Sequence, residues 1–126
     1  MRRAILAAAA IGALLAAAPP ATSQAPVRVI DGDTIAVRGV TIRIMGLDAP
    51  ELHGACPAEV LLAQRARARL QALLAGPYSI ERHGRDRYGR ALARVRDAQG
   101  RDVAAVMVSE GLAHAYSGRG PRGGWC

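Results

Sequence analysis

From Val27 to Leu47 apolar residues alternate with polar ones, and from Pro57 to Ala75 they return at every third or fourth position. A period of two lays side chains on opposite faces of a strand, whereas a period near 3.6 lays them along one stripe of a helix. A chain that switches between the two is confined to packing helices on a sheet. "VIDGDTIAV" reads as a strand, Arg38–Gly39 as a turn and "VTIRIMGL" as a second strand. Asp48-Ala49-Pro50-Glu51 ends it, because the proline holds Ala49 extended. Leu62, Ala66, Leu70, Leu73 and Leu74 form the helical stripe, with Pro57 at its start and Gly76 past its end. "YSIER" then predicts a strand, "HGRD" a turn, "RYGRALARVR" a strand and "DAQG" a turn. Asp102 caps a short helix expected over Val103–Glu110, and "LAHAY" is a last short strand or an extended segment. The expected class is α+β, with the strands curled into a barrel.

Met1-Arg2-Arg3 is followed by an apolar run from Ala4 to Ala18, then two prolines and "ATSQA". That is the layout of a secretory signal peptide. The run is shorter than the roughly 20 residues of a spanning helix. Residues 1–25 are the expected leader, cut after Ser23 or Ala25, and 26–126 a single domain without repeats or linkers. The product is expected to be a periplasmic or secreted monomer with no stable membrane association. All seventeen basic residues are arginine, lysine being absent, and they face ten acidic ones. Such an excess favours a polyanionic partner such as nucleic acid.

Four polar clusters interrupt the apolar pattern: Asp31/Asp33, Arg43, Asp48/Glu51 and "GRDRYGR". In an extended strand Asp31 and Asp33 point to one side, where they repel unless a cation lies between them. A hairpin could bring Asp33 and Asp48 together, and hard oxygen ligands suit Ca²⁺. No His/Cys cluster has zinc spacing, and "DGDTI" does not continue into an EF-hand loop. The alternative is that both acids cap backbone amides in turns. Arg43 and Arg90 offer planar forks matched to phosphate oxygens, and Glu51 could take a proton from an attacking water. An ordinary ion-pair network is the competing account of these charges.

Together, "VIDGDTIAV", "IRIMGLDAPEL", "GRDRYGRALARV" and "VSEGLAHAY" resemble, in order and interval, the thermonuclease (staphylococcal nuclease-like) family. The resemblance spans roughly residues 27–116 and implies a five-stranded OB-type β-barrel with two packed helices, a platform for oligonucleotides. It implies Ca²⁺-dependent hydrolysis of DNA and RNA, breaking P–O5′ and leaving 3′-phosphates. Asp33 and Asp48 match the metal carboxylates, Ala49 the backbone ligand and Asp31 an acid supporting the metal through water. Arg43 and Arg90 match the catalytic arginines and Glu51 the glutamate assigned as general base. Arg87 and Tyr88 match residues on the terminal phosphate, and Tyr116 approximates an aromatic that stacks on the nucleotide. A catalytically silent OB-fold module that only binds nucleic acid is the alternative, but Arg43, Glu51 and Arg90 are all present.

His53 reads as a loop residue, His83 as part of a turn, and His114 as a weak candidate for nucleic-acid contact. The chain departs from the family in lacking a third helix. A Cys56–Cys126 disulfide would pin the short C-terminal tail in its place, letting Trp125 cover apolar surface. Two free thiols or a bond between chains are the other arrangements.

Overall fold

The structure, a computed structural model, describes residues 10, 12 and 21–126; apart from 10 and 12, the expected leader up to residue 20 lies outside the described residues. Strands β1 (Val27–Asp31), β2 (Thr34–Val37), β3 (Val40–Ile44) and β4 (Gly46–Asp48) precede helix α1 (Pro57–Leu73). Strands β5 (Ser79–Arg85) and β6 (Ala91–Arg96), helix α2 (Val103–Ser109) and strand β7 (His114–Tyr116) follow. The sheet runs β1-β2-β3-β6-β5, antiparallel except for β3 against β6. A parallel pair needs a crossover, and α1 lies within it. β4 and β7 form a separate antiparallel ribbon with Asp48 opposite His114. Ile35, Ile42, Ile44, Leu47, Leu70, Val95, Val103 and Met107 are fully buried in the core. Among the described residues no helix is long and apolar enough to cross a membrane.

Three local expectations are corrected. "VIDGDTIAV" is two strands rather than one: Asp31 pairs with Thr34, leaving Gly32 and Asp33 as the hairpin loop. Asp31 Oδ1 accepts the Asp33 N–H at 3.2 Å, the kind of local bond by which aspartate competes with a strand ladder. The same-face argument for the two acids therefore fails. A Cβ on Gly32 would lie 2.8 Å from that of Ala49 and 2.9 Å from that of Ala66, so this loop packs directly on α1 and on the chain after β4. Second, "HGRD" is not a turn. An irregularity between Arg82 and Arg85 lets β5 continue through it, with Gly84 at φ 88°, and the chain reverses over 86–89 instead. Third, "VTIRIMGL" breaks at Met45, and Gly46, at φ 95°, redirects the chain into β4.

The α+β class, the five-stranded sheet and the two helices stand as expected, but the OB-like sheet does not close into a barrel. β1 and β5 are its edges. Among the described residues one bridge joins the chain just before each of them: Ser23 N–H to Tyr78 O at 2.6 Å and Tyr78 N–H to Ser23 O at 3.0 Å. The Tyr78 hydroxyl also donates to Ala25 O at 2.7 Å.

After Tyr116 the tail is irregular. Cys126 is bonded to Cys56, the residue that opens α1, with Cα atoms 6.0 Å apart. Trp125 lies flat on His114, the rings 3.7 Å apart and 4° from parallel. Its partner is thus an imidazole rather than bare apolar surface. The bond spans 70 residues, and closing such a loop stabilises by roughly 4 kcal/mol in the chain-entropy model. Reduction should lower the urea midpoint accordingly, and alkylation of the unreduced chain should add no mass. Two thiols alkylated without reductant would show that the tail is held otherwise.

Candidate functional site

The loop after β1 and the end of β4 bring two buried carboxylates, Asp33 and Asp48, to one buried guanidinium. Thr34 and Arg43 are partners in the β2–β3 register, which places Arg43 beside Asp33. Arg43 Nη2 lies 3.4 Å from Asp33 Oδ2 and 3.9 Å from Asp48 Oδ1. Its Nη1 and Nη2 also donate to Ile44 O at 2.6 Å and Leu47 O at 2.9 Å, tying β3 to the strand that carries Asp48. Asp33 is well satisfied: Oδ1 accepts from the Thr34 hydroxyl and Oδ2 from the Ala49 N–H, both at 2.9 Å. Asp48 Oδ1 is buried without a hydrogen-bond partner. Leaving a buried acceptor unmet costs on the order of 1–3 kcal/mol, more when charged.

That orphaned oxygen beside a second carboxylate fits a divalent cation. Among the described residues no three His, Cys, Asp or Glu side chains gather around such an ion. Backbone carbonyls and water would have to complete its shell. Ca²⁺ accepts both.

A cleft of about 580 Å³ adjoins this pocket, lined among others by Arg43, Arg87, Tyr88, Arg90 and Tyr116. Sequence-named residues from three separate stretches therefore share one surface. Tyr88 is two-thirds exposed (67 %); its hydroxyl accepts from Arg87 at 2.8 Å, and its ring lies 5.5 Å from the Arg90 guanidinium. Arg90 has Asp86 as its ion-pair partner, Nε to Oδ2 at 2.7 Å, rather than Asp33 or Asp48. Glu51 is exposed on the loop after β4, while His53 is exposed in the same loop.

Three contributors escaped sequence reasoning. Glu59, buried in the first turn of α1, accepts the Glu51 and Ala55 N–H groups at 3.0 and 3.1 Å, fixing the loop that bears Glu51. Asp86 accepts the Tyr88 and Arg90 N–H groups, each at 2.9 Å, as well as Arg90 Nε. Arg122, from the tail, reaches within 3.7 Å of Asp48 Oδ1. An acid in a first helical turn and an Asp four residues before an Arg were readable signals for the first two. Nothing local marks Arg122.

A family model described as staphylococcal nuclease homologue matches residues 41–123. The chain is 37 % identical to Protein ParB of Escherichia coli, covering 90 % of this chain and 70 % of that one. It is 36 % identical to the succinoglycan biosynthesis protein ExoI of Rhizobium meliloti (strain 1021), over 82 % of this chain and 61 % of that one. An uncharacterized endonuclease of Escherichia coli O157:H7 is 36 % identical over 71 % of this chain. The chain spans 58 % of that relative's own length.

Protonation in the pocket follows from burial first and from crowding of like charge second. Burial, reinforced by Asp33, pushes the Asp31 carboxyl up to about 7. Burial raises Asp48 as well, with Arg122 and Arg43 opposing. Glu51 reaches solvent, yet desolvation of its carboxylate, followed by the charges of Asp33 and Asp48, also raises it. Between the ordinary 3.8 and about 7, folded Asp31 keeps a proton that the unfolded chain has released. Its contribution to stability is complete below that window and lost as pH rises through it. Asp86 and Asp97, whose carboxyls are held low by hydrogen bonds from Arg90 and Arg101 against the opposing cost of burial, act oppositely and below the ordinary range. Without metal, the urea midpoint should therefore fall between about pH 4 and pH 7, and Asp31→Asn should flatten that fall. An unchanged slope in the variant would remove Asp31 as its source.

Proposed function

The chain belongs to the staphylococcal nuclease homologue family, and on that premise we propose that it is an exported, calcium-dependent nuclease hydrolysing DNA and RNA to 3′-phosphate products. The observation that carries this reading is the unmet, buried Asp48 oxygen beside Asp33, joined through Arg43 and Arg122 to a cleft rich in arginine. One pocket asks for a cation and the next for an anion. The leader of residues 1–25 would deliver a single-domain monomer, residues 26–126, to the periplasm or the medium.

Asp33, Asp48 and the Ala49 carbonyl would hold the ion, with Asp31 supporting it through water. Bound there, Ca²⁺ would neutralise charge on the phosphate under attack. Arg43 and Arg90 would bind the phosphate oxygens and take up the charge that accumulates as the water oxygen bonds to phosphorus. Glu51 would accept the proton released by that water, a task for which a raised carboxylate is better suited than an ordinary one. The P–O5′ bond breaks and the departing 5′-oxygen takes a proton from solvent. Arg87 and Tyr88 would hold a neighbouring terminal phosphate, and Tyr116 would stack on the base.

Cleavage of single-stranded DNA should require Ca²⁺, stop in excess chelator and be lost in Asp33→Ala. Full activity with chelator would overturn the metal assignment. Arg90→Lys keeps the charge but loses the fork, and should lower kcat on the order of 10²–10³. Arg43→Lys should lower kcat and stability together, because its two bonds to Ile44 O and Leu47 O are also lost. Glu51→Gln should retain oligonucleotide binding without turnover. Wild-type turnover in the Arg90 or Glu51 variant would remove that residue from the reaction.

A further inference from the structure

The tail places a cation with more care than a loose end requires. The Cys56–Cys126 bond fixes its last residue, and Trp125 stacks on His114. Gly123 crosses the same imidazole so closely that a Cβ there would lie 2.7 Å from His114 Nδ1. Upstream, the Tyr116 hydroxyl donates to Gly120 O at 3.2 Å. Between these anchors the Arg122 guanidinium sits 5.5 Å from the centre of the Tyr116 ring and 3.7 Å from Asp48 Oδ1. The pairing with Asp48 is loose, since that oxygen has no hydrogen bond. About half of the Arg122 side chain is exposed (49 %), and it lines the same cleft as Arg43, Arg87 and Arg90.

A guanidinium that neighbours the Tyr116 hydroxyl but does not hydrogen-bond the carboxylate beside it keeps further donors for another acceptor. Once a cation occupies Asp48, the attraction toward that carboxylate weakens further and the arginine faces the cleft. We propose that Arg122 is a further phosphate-binding residue of this site, taking a backbone phosphate of single-stranded nucleic acid and presented by the disulfide-tied tail. The assignment rests on the nuclease reading for its substrate class. A Cys56–Cys126 bond then has a second role besides stability. Reduction withdraws a substrate contact.

The test uses the full exported chain with its native bond. Anisotropy of a fluorescein-labelled single-stranded oligonucleotide is followed against salt, and steady-state cleavage is measured in Ca²⁺. Arg122→Ala should raise Kd and KM about tenfold, with kcat falling by less, as when one charge-assisted contact is lost. The slope of log affinity against log salt should flatten by about 0.7, the signature of one phosphate contact on a single strand. Arg122→Lys should keep the salt slope while losing part of the affinity. Cys56→Ser with Cys126→Ser should weaken binding similarly, and adding Arg122→Ala should weaken it little more. Wild-type affinity and salt slope in Arg122→Ala, while the parent binds and cleaves, would overturn this assignment and leave the nuclease reading standing. Tighter binding in that variant would also overturn it, making the arginine a plug on Asp48. A parent that binds but does not cleave would overturn the nuclease reading alone, and the binding arm would still decide Arg122.

Discussion

Two buried carboxylates can share a pocket only if something cationic reaches both, and here Arg43 does so from inside the sheet. Its position follows from register: Arg43 lies opposite Thr34, the neighbour of Asp33. Its bonds to the Ile44 and Leu47 carbonyls fold the end of β3 toward β4 and so deliver Asp48. Burying ions costs several kcal/mol each unless they are paired and hydrogen-bonded. The arrangement meets that condition for Asp33 and Arg43 and leaves it open at one oxygen of Asp48. The unmet oxygen of the pocket is therefore the point that gains most from a cation.

What could be read from the sequence was what local chemistry decides. The Asp102 cap, the Arg38–Gly39 turn and most of the α1 stripe follow from neighbours within four residues, and the structure has each of them, though Ala63 is buried in place of Leu62, which is only partly covered. "DGD" and "HGRD" were misread for opposite reasons. In the first, the apolar residues on either side mask Gly32-Asp33, a pair that forms the hairpin loop. In the second, a glycine was taken as a reversal, whereas the ladder absorbed it as an irregularity within β5.

The candidate site divides along the same line. Asp33, Asp48 and Arg43 stand out as charges among Ile and Val, so the pattern exposes them. Glu59 hides in a helix that tolerates glutamate anywhere, and its importance comes from two N–H groups on the Glu51 loop. Arg122 is one arginine among many in a glycine-rich segment. The bond of Cys126 to Cys56, 70 residues earlier, and the stacking of Trp125 on His114 give it a location.

On the proposed export, the Ser23–Tyr78 bridge would tie processing to architecture. Cutting the leader after Ser23 would spare the Tyr78 contact to Ala25 but remove the backbone pair, and cutting after Ala25 would remove both. Either cut would leave the rims at β1 and β5 without the backbone pair that joins the chain before them. Unpaired rims are where foreign strands add. The processing peptidase would thus set more than an address: a cut after Ser23 would leave one Tyr78 contact between the two rims, and a cut after Ala25 would leave neither contact.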